Sequence, residues 1–268
     1  MELALSVMTI PNATFADRVV AAAAAGFDGI GLRPGDRRRA LEAGATDDDL
    51  RGVLAEHGLA VVEIDVITGW GGSAADVEGA RAHEDRVYEL VDALGGRHVT
   101  VVGDTEGPAD RVAELFAAMC DRAAEHGLGV GLEYLPWTTV PTLGAALDVV
   151  EAAGRPNGGV VVDAWHHERG DADWALLADV DPARVAGIQL CDGRPATDEP
   201  LLTQTFHRAV PGEGVFDLVR FLSSLAPVLD TAPLCVEVIS PALAALDPGD
   251  AAAACADATR RLLAEAVA

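Results

Sequence analysis

The chain has 268 residues, half of them apolar, with 43 acidic against 19 basic side chains and a formal net charge of −24. A surface of that sign repels phosphate backbones and excludes nucleic acid as a partner; no apolar run reaches the roughly eighteen residues that a membrane span needs. The opening MELALSVMTI shows neither a basic leader nor a cleavage site, and Cys120, Cys191, Cys235 and Cys255 are scattered without a CxxC pair, which points to buried free thiols in a reducing, cytoplasmic setting.

Apolar, β-branched runs predict strands over 3–10, 28–32, 59–67, 97–103, 128–135, 158–163, 184–191 and 233–240. Segments with helical spacing separate them. Thr14 opens the first helix and Gly26 closes it; Thr46 with Asp49 forms a capping box for a helix that Gly58 ends. Ser73 and Thr142 are further N-cap candidates. The echo of AEHGLAV (55–61) in AEHGLGV (124–130) repeats one helix-to-strand turn, and places His57 and His126 at helix ends, where they complement the dipole. Strand and helix alternate eight times without a long linker, which predicts a single-domain (β/α)8 TIM barrel over 1–268, with a doubly wound open sheet as the alternative. The stretch GGRHVTVVGDTEG is glycine-rich but lacks a phosphate-loop pattern.

In such a barrel the site forms where strands end. The last four predicted strands each carry a polar residue inside an apolar run: Glu133 in GVGLEYLPW, Asp163 in VVVDAWHHERG, Gln189 in VAGIQLCDG and Glu237 in PLCVEVIS. Strand periodicity turns the three acids toward the barrel axis. Acids facing one another repel, so the pattern calls for a cation, and an oxygen-rich set favours one divalent ion such as Mn²⁺ or Mg²⁺ over zinc. Separate ion pairs to rim arginines are the competing account.

These motifs, together with GRPNGG and RAVPGEGVFDL in the same order, resemble the xylose-isomerase-like sugar isomerase/epimerase superfamily. The resemblance implies a metal site of Glu133, Asp163, Gln189 and Glu237, with Gln189 standing where many members carry histidine. Glutamine there, and the Arg-x-x-Pro-Gly-x-Gly stretch from Arg208 to Gly214, are similar to the 3-dehydroshikimate dehydratase branch. It further implies that His166, in the D-x-x-H motif, and Arg208 contact substrate oxygens. A surface histidine paired with Glu168, and a rim bridge from Arg208 to Glu213, are the bland alternatives; His167 is read as a surface residue.

Trp137 and Trp165 follow their strands directly and suit the apolar face of a ring substrate, or else cap the core. Arg33, Glu63 and Asp65 are candidates to complete the pocket. Glu133 and Glu237 would serve as base and acid in proton abstraction beside a polarised carbonyl. The expected function is therefore a metal-dependent isomerase or epimerase of a sugar or cyclic keto-polyol; a dehydratase is the alternative, and a barrel that has lost its chemistry the second. No clustered Lys or Arg marks a phosphate pocket, so a free, carbohydrate-like small molecule is the expected partner, and apolar helix faces permit a homo-oligomer. Seven histidines and a charge of −24 argue against the superfamily's DNA-repair endonucleases.

Overall fold

All eight predicted strands form in the computed structural model, which describes residues 1–72, 74–105 and 111–266. They are β1 (Leu3–Leu5), β2 (Gly29–Leu32), β3 (Ala60–Ile67), β4 (His98–Val102), β5 (Gly129–Glu133), β6 (Gly158–Asp163), β7 (Val185–Leu190) and β8 (Leu234–Val236). Every neighbour in sequence is a parallel neighbour in space, and β8 pairs with β1 to close the barrel. Short right-handed crossovers through helices allow that order. The open-sheet alternative is thereby excluded.

The predicted caps at Thr14, Thr46 and Thr142 each accept the N–H three residues on. They open α1 (Phe15–Ala24), α3 (Asp47–His57) and α6 (Leu143–Ala153), with α2 (Pro34–Glu42) inserted between the first two. Gly58 ends α3 in the left-handed region. The predicted cap at Ser73 lies outside the described residues. α4 (Ala74–Leu94) and α5 (Val112–Ala124) precede α6; α7 (Ala164–Arg169) follows β6 without a break. His57 sits in the last turn of α3, whereas His126 lies beyond α5, stacks on Tyr88 and pairs with Asp92 at 2.8 Å.

β1 and β8 are shorter than their apolar runs predict, and a contact between the two chain ends accompanies the difference. The Thr9 hydroxyl enters the ladder, donating to the Val236 carbonyl at 2.8 Å and accepting from the Val238 N–H at 2.9 Å. A side chain thus replaces backbone pairing. The core is the layer between strands and helices, with Leu5, Ile30, Ile64, Val130 and Ile188 all fully buried. The four cysteines are buried and free. Among the described residues, no helix is long and apolar enough to cross a membrane.

Candidate active site

β5 ends on Glu133 and β6 on Asp163; Gln189 is the penultimate residue of β7, and Glu237 follows β8 directly. Parallel register sets Asp163 across from Gln189. All of these side chains are buried, the most exposed being Glu133 at 6%. The convergence that strand periodicity predicts is present.

A guanidinium lies among them. Arg208, 2% exposed, donates from Nη1 to Asp163 Oδ2 at 2.6 Å and to Glu237 Oε2 at 3.2 Å. Its other nitrogens donate to the carbonyl and hydroxyl of Thr205 at 3.2 and 3.1 Å, which fixes the plane of the fork. The rim bridge to Glu213 is not its role. Asp163 Oδ1 accepts the N–H groups of Trp165 and His166 at 2.6 and 3.0 Å, so one carboxylate both caps α7 and holds the arginine. Because α7 starts there, His166 turns inward, and its Nε2 lies 3.2 Å from Glu133 Oε1 and 3.3 Å from Arg208 Nη2. His167 turns inward as well. The expectation of a surface histidine is corrected: His167 is fully buried, 3.4 Å from the Tyr134 hydroxyl and edge-on to Trp174.

Burial and charge divide the protons unequally. Burial drives the Glu133 carboxyl well above the ordinary range, and the Asp163 charge adds to the effect. Burial does the same to Glu237, with Arg208 only partly offsetting it. For Asp163 burial also pushes upward, but the Arg208 charge and the hydrogen bond from the His166 backbone N–H outweigh it and hold the group low. Desolvation pushes His166 down to about 3, so the ring is neutral. A guanidinium can only donate, which makes His166 Nε2 an acceptor; a protonated Glu133 can donate to the same atom.

Above this cluster opens a cavity of about 210 Å³, walled among others by Met8, Leu135, Trp137 and Ile239. Arg33 and Asp65 also line it, as a pair with Nε 2.7 Å from Oδ2. Burial raises Asp65 and Arg33 opposes the shift. Trp165 sits behind the wall, 1% exposed, with its ring 6.1 Å from Trp137 and the Arg208 guanidinium 5.8 Å above it. Of the two tryptophans, the structure brings Trp137 to the cavity and packs Trp165 beneath it. Ser6 and Thr205 are site residues that the sequence reading missed. Ser6, a lone hydroxyl in an apolar run, carried a signal, since it donates to Glu237 Oε1 at 3.1 Å; Thr205 sits in a polar loop and carried none.

Glu133, Asp163 and His166 offer ligand atoms within 4.8 Å of one another. The carbonyl oxygen of Gln189 is buried without a partner. Carboxylate oxygens, an amide oxygen and an imidazole make a donor set that fits a divalent cation. Glu237 stands outside the tight group, engaged through Oε2 with Arg208 and through Oε1 with Ser6 and, at 3.4 Å, Gln189.

Residues 19–262 match the model of the family described as xylose isomerase-like TIM barrel. The chain is 28% identical over 235 residues, 85% of its length, to 3-dehydroshikimate dehydratase of Pseudomonas aeruginosa, covering 37% of that protein. It therefore spans little more than a third of that relative. Over 132 residues, 48% of the chain and 46% of the relative, it is 30% identical to inosose isomerase of Bacillus velezensis. Among solved structures, the IolI protein with a bound zinc atom superposes with a TM-score of 0.88 at 21% identity over 99% of both chains. AsbF from Bacillus anthracis, a probable 3-DHS dehydratase, gives 0.79 at 17% identity, over 97% of this chain and 99% of that one. At such identities these two likenesses speak for the fold.

Proposed function

Because the chain belongs to the xylose isomerase-like TIM barrel family, we propose that it is a metal-assisted isomerase or epimerase that moves a proton beside the carbonyl of a cyclic keto-polyol. The observation that carries this reading is the pair of carboxyls, Glu133 and Glu237, both buried and both lining one small cavity. Two carboxyls that reach one bound substrate are suited to take a proton from it and return one.

Glu133, Asp163, His166 and the Gln189 carbonyl oxygen would hold the cation, and Glu237 would join them by releasing Arg208 or act from outside the set. The oxygen-rich donors favour Mn²⁺ or Mg²⁺. When bound, such an ion polarises a carbonyl and acidifies the neighbouring C–H. The chain's own part is then to take that proton on one glutamate and return one from the other. Arg208, once Glu237 turns from it to the cation, would meet the negative charge that develops on substrate oxygen. Trp137 offers its face to the ring.

Charge selects the substrate class. Both guanidiniums that line the cavity are already committed, Arg33 to Asp65 and Arg208 to Asp163 and Glu237. Among the described residues that line the cavity, no side-chain cation stands unpaired to hold a carboxylate or phosphate, which supports an uncharged polyol. The inosose isomerase relatives act, by their name, on such a molecule.

A second reading, dehydration of 3-dehydroshikimate or a like acid, is favoured by Gln189 and by the dehydratases matched over 85% of the chain. Both begin with the same proton abstraction. Incubation with keto-inositols and with 3-dehydroshikimate in D₂O, followed by NMR, separates them. Exchange of the proton beside the carbonyl without a new alkene absorbance supports the isomerase, whereas loss of water with conjugation supports the dehydratase. Turnover unaffected by EDTA and by Glu237→Gln would overturn both.

A further inference from the structure

Beneath the cavity the barrel holds a buried polar cluster that the proposed chemistry does not use. Glu63, on β3 and 1% exposed, accepts at Oε1 from Gln189 Nε2 at 2.8 Å and from the Thr100 hydroxyl at 3.1 Å. His98 Nε2 lies 3.8 Å away on the same side. The absence of a side chain at Gly187 makes room for that ring, since a Cβ there would lie 2.8 Å from it. A carboxylate in the barrel interior costs several kcal/mol of solvation unless its contacts are used. The contact it makes decides which way an amide points.

A buried amide has two orientations that exchange oxygen for nitrogen. In one of them the Gln189 NH₂ faces Glu63 Oε1 and, at 3.4 Å, Glu237 Oε1; in the other its carbonyl would meet those same oxygens. Glu63 Oε1 already takes the Thr100 proton, and Glu237 Oε1 already takes the Ser6 proton. The short contact to Glu63 Oε1, which accepts, turns the NH₂ toward β3, and the amide oxygen is left buried without a partner. We propose that Glu63 is a positioning residue that locks the Gln189 amide with its carbonyl oxygen free for a divalent cation. The inference rests on the metal reading of the site and deepens it: histidine needs no such lock to choose between an oxygen and a nitrogen, whereas glutamine does. Outer partners of metal ligands typically change affinity about tenfold or more when removed.

The chain contains two glutamines, Gln189 and Gln204. Protein with ¹⁵N in the glutamine side chains therefore gives two NH₂ signals, assigned by a Gln204→Ala variant. In the wild type the Gln189 pair should exchange with solvent far more slowly than the Gln204 pair, and should be the pair that shifts on titration with Mg²⁺. In Glu63→Leu its exchange should quicken and Mg²⁺ affinity should fall about tenfold, with no further fall when Glu63→Leu is added to Gln189→Ala. Glu63→Gln retains an acceptor oxygen toward Gln189 and should restore affinity; folding of each variant is checked by circular dichroism. Fast exchange of the wild-type Gln189 pair, unchanged Mg²⁺ affinity in Glu63→Leu, or a Glu63→Gln as weak as the leucine variant overturns the inference alone. Wild-type protein that takes up none of Mg²⁺, Mn²⁺ or Zn²⁺ overturns the metal reading and this inference with it.

Discussion

Arg208 Nη1 stands 2.6 Å from Asp163 Oδ2, and neither residue is more than 2% exposed. Removing one partner of a buried pair leaves an uncompensated charge, which costs about 3–5 kcal/mol. Arg208→Met is therefore expected to lose stability of that size in urea unfolding without added metal. Asp163→Asn with Arg208→Met should lose less than the two single changes summed, because the pair disappears together. Mg²⁺ or Mn²⁺ should recover part of the loss in Arg208→Met, since the cation supplies the missing positive charge next to Asp163.

The same crowding of acids predicts a proton signature for metal uptake. Burial holds Glu133 and Glu237 well above the ordinary carboxylate range, so a cation arriving beside them favours their ionised forms. Binding should release protons, and affinity should rise with pH. Calorimetry in two buffers of different ionisation heat measures the number released. Glu133→Gln should reduce it; equal heats in both buffers would contradict the charge distribution described above.

The inward acids of β5, β6 and the β8 end were legible because a single charged residue inside an apolar run has few other places to go. The barrel was legible for a similar reason, each apolar run being followed by a segment of helical spacing. What escaped was set by contacts between distant segments. Beyond β1 and β8, Thr9 inserts a hydroxyl that no propensity describes. His167 was misread because DAWHHERG resembles a loop, whereas Asp163 caps α7 and rotates both histidines into the interior. The clasp of Arg208 on Asp163 spans 45 residues of chain, and pairing of that kind leaves no local trace.

His166 carries a stability prediction whose sign is fixed. Its folded value, about 3, lies below the ordinary 6.5, because burial disfavours the charged ring. Between those values the unfolded chain binds a proton that the folded one refuses, so the stability present above 6.5 is lost as pH falls toward 3. Glu133 and Glu237 act oppositely, favouring the fold below 4.5 and losing that contribution as pH rises through their folded values. Subtracting the curve of His166→Gln isolates the histidine. The wild type should lose up to about 1.4 kcal/mol per pH unit relative to the variant below 6.5, by urea unfolding at pH 7, 6 and 5.

The Pro-Gly-x-Gly stretch after Arg208 is held by one buried carboxylate. Asp192 Oδ1 accepts from the N–H groups of Gly193 and Phe216 at 2.8 and 3.0 Å, and Oδ2 from those of Gly212 and Gly214 at 3.0 and 2.9 Å. Asp192 also bridges to Ala209 through both backbone groups, which sets the position of Arg208 next to it. In Asp192→Asn the amide nitrogen confronts two N–H donors wherever it is placed, a loss of about 2–4 kcal/mol by the cost of buried unmet donors. Gly214→Ala attacks the same hub sterically, because a Cβ would lie 2.3 Å from Asp192 Oδ1. Both variants should lower turnover without touching the cavity, by letting Arg208 drift from Asp163. If unfolding midpoints fall while turnover on the active ketone stays at the wild-type level, the loop supports the fold and the arginine holds its place by other means.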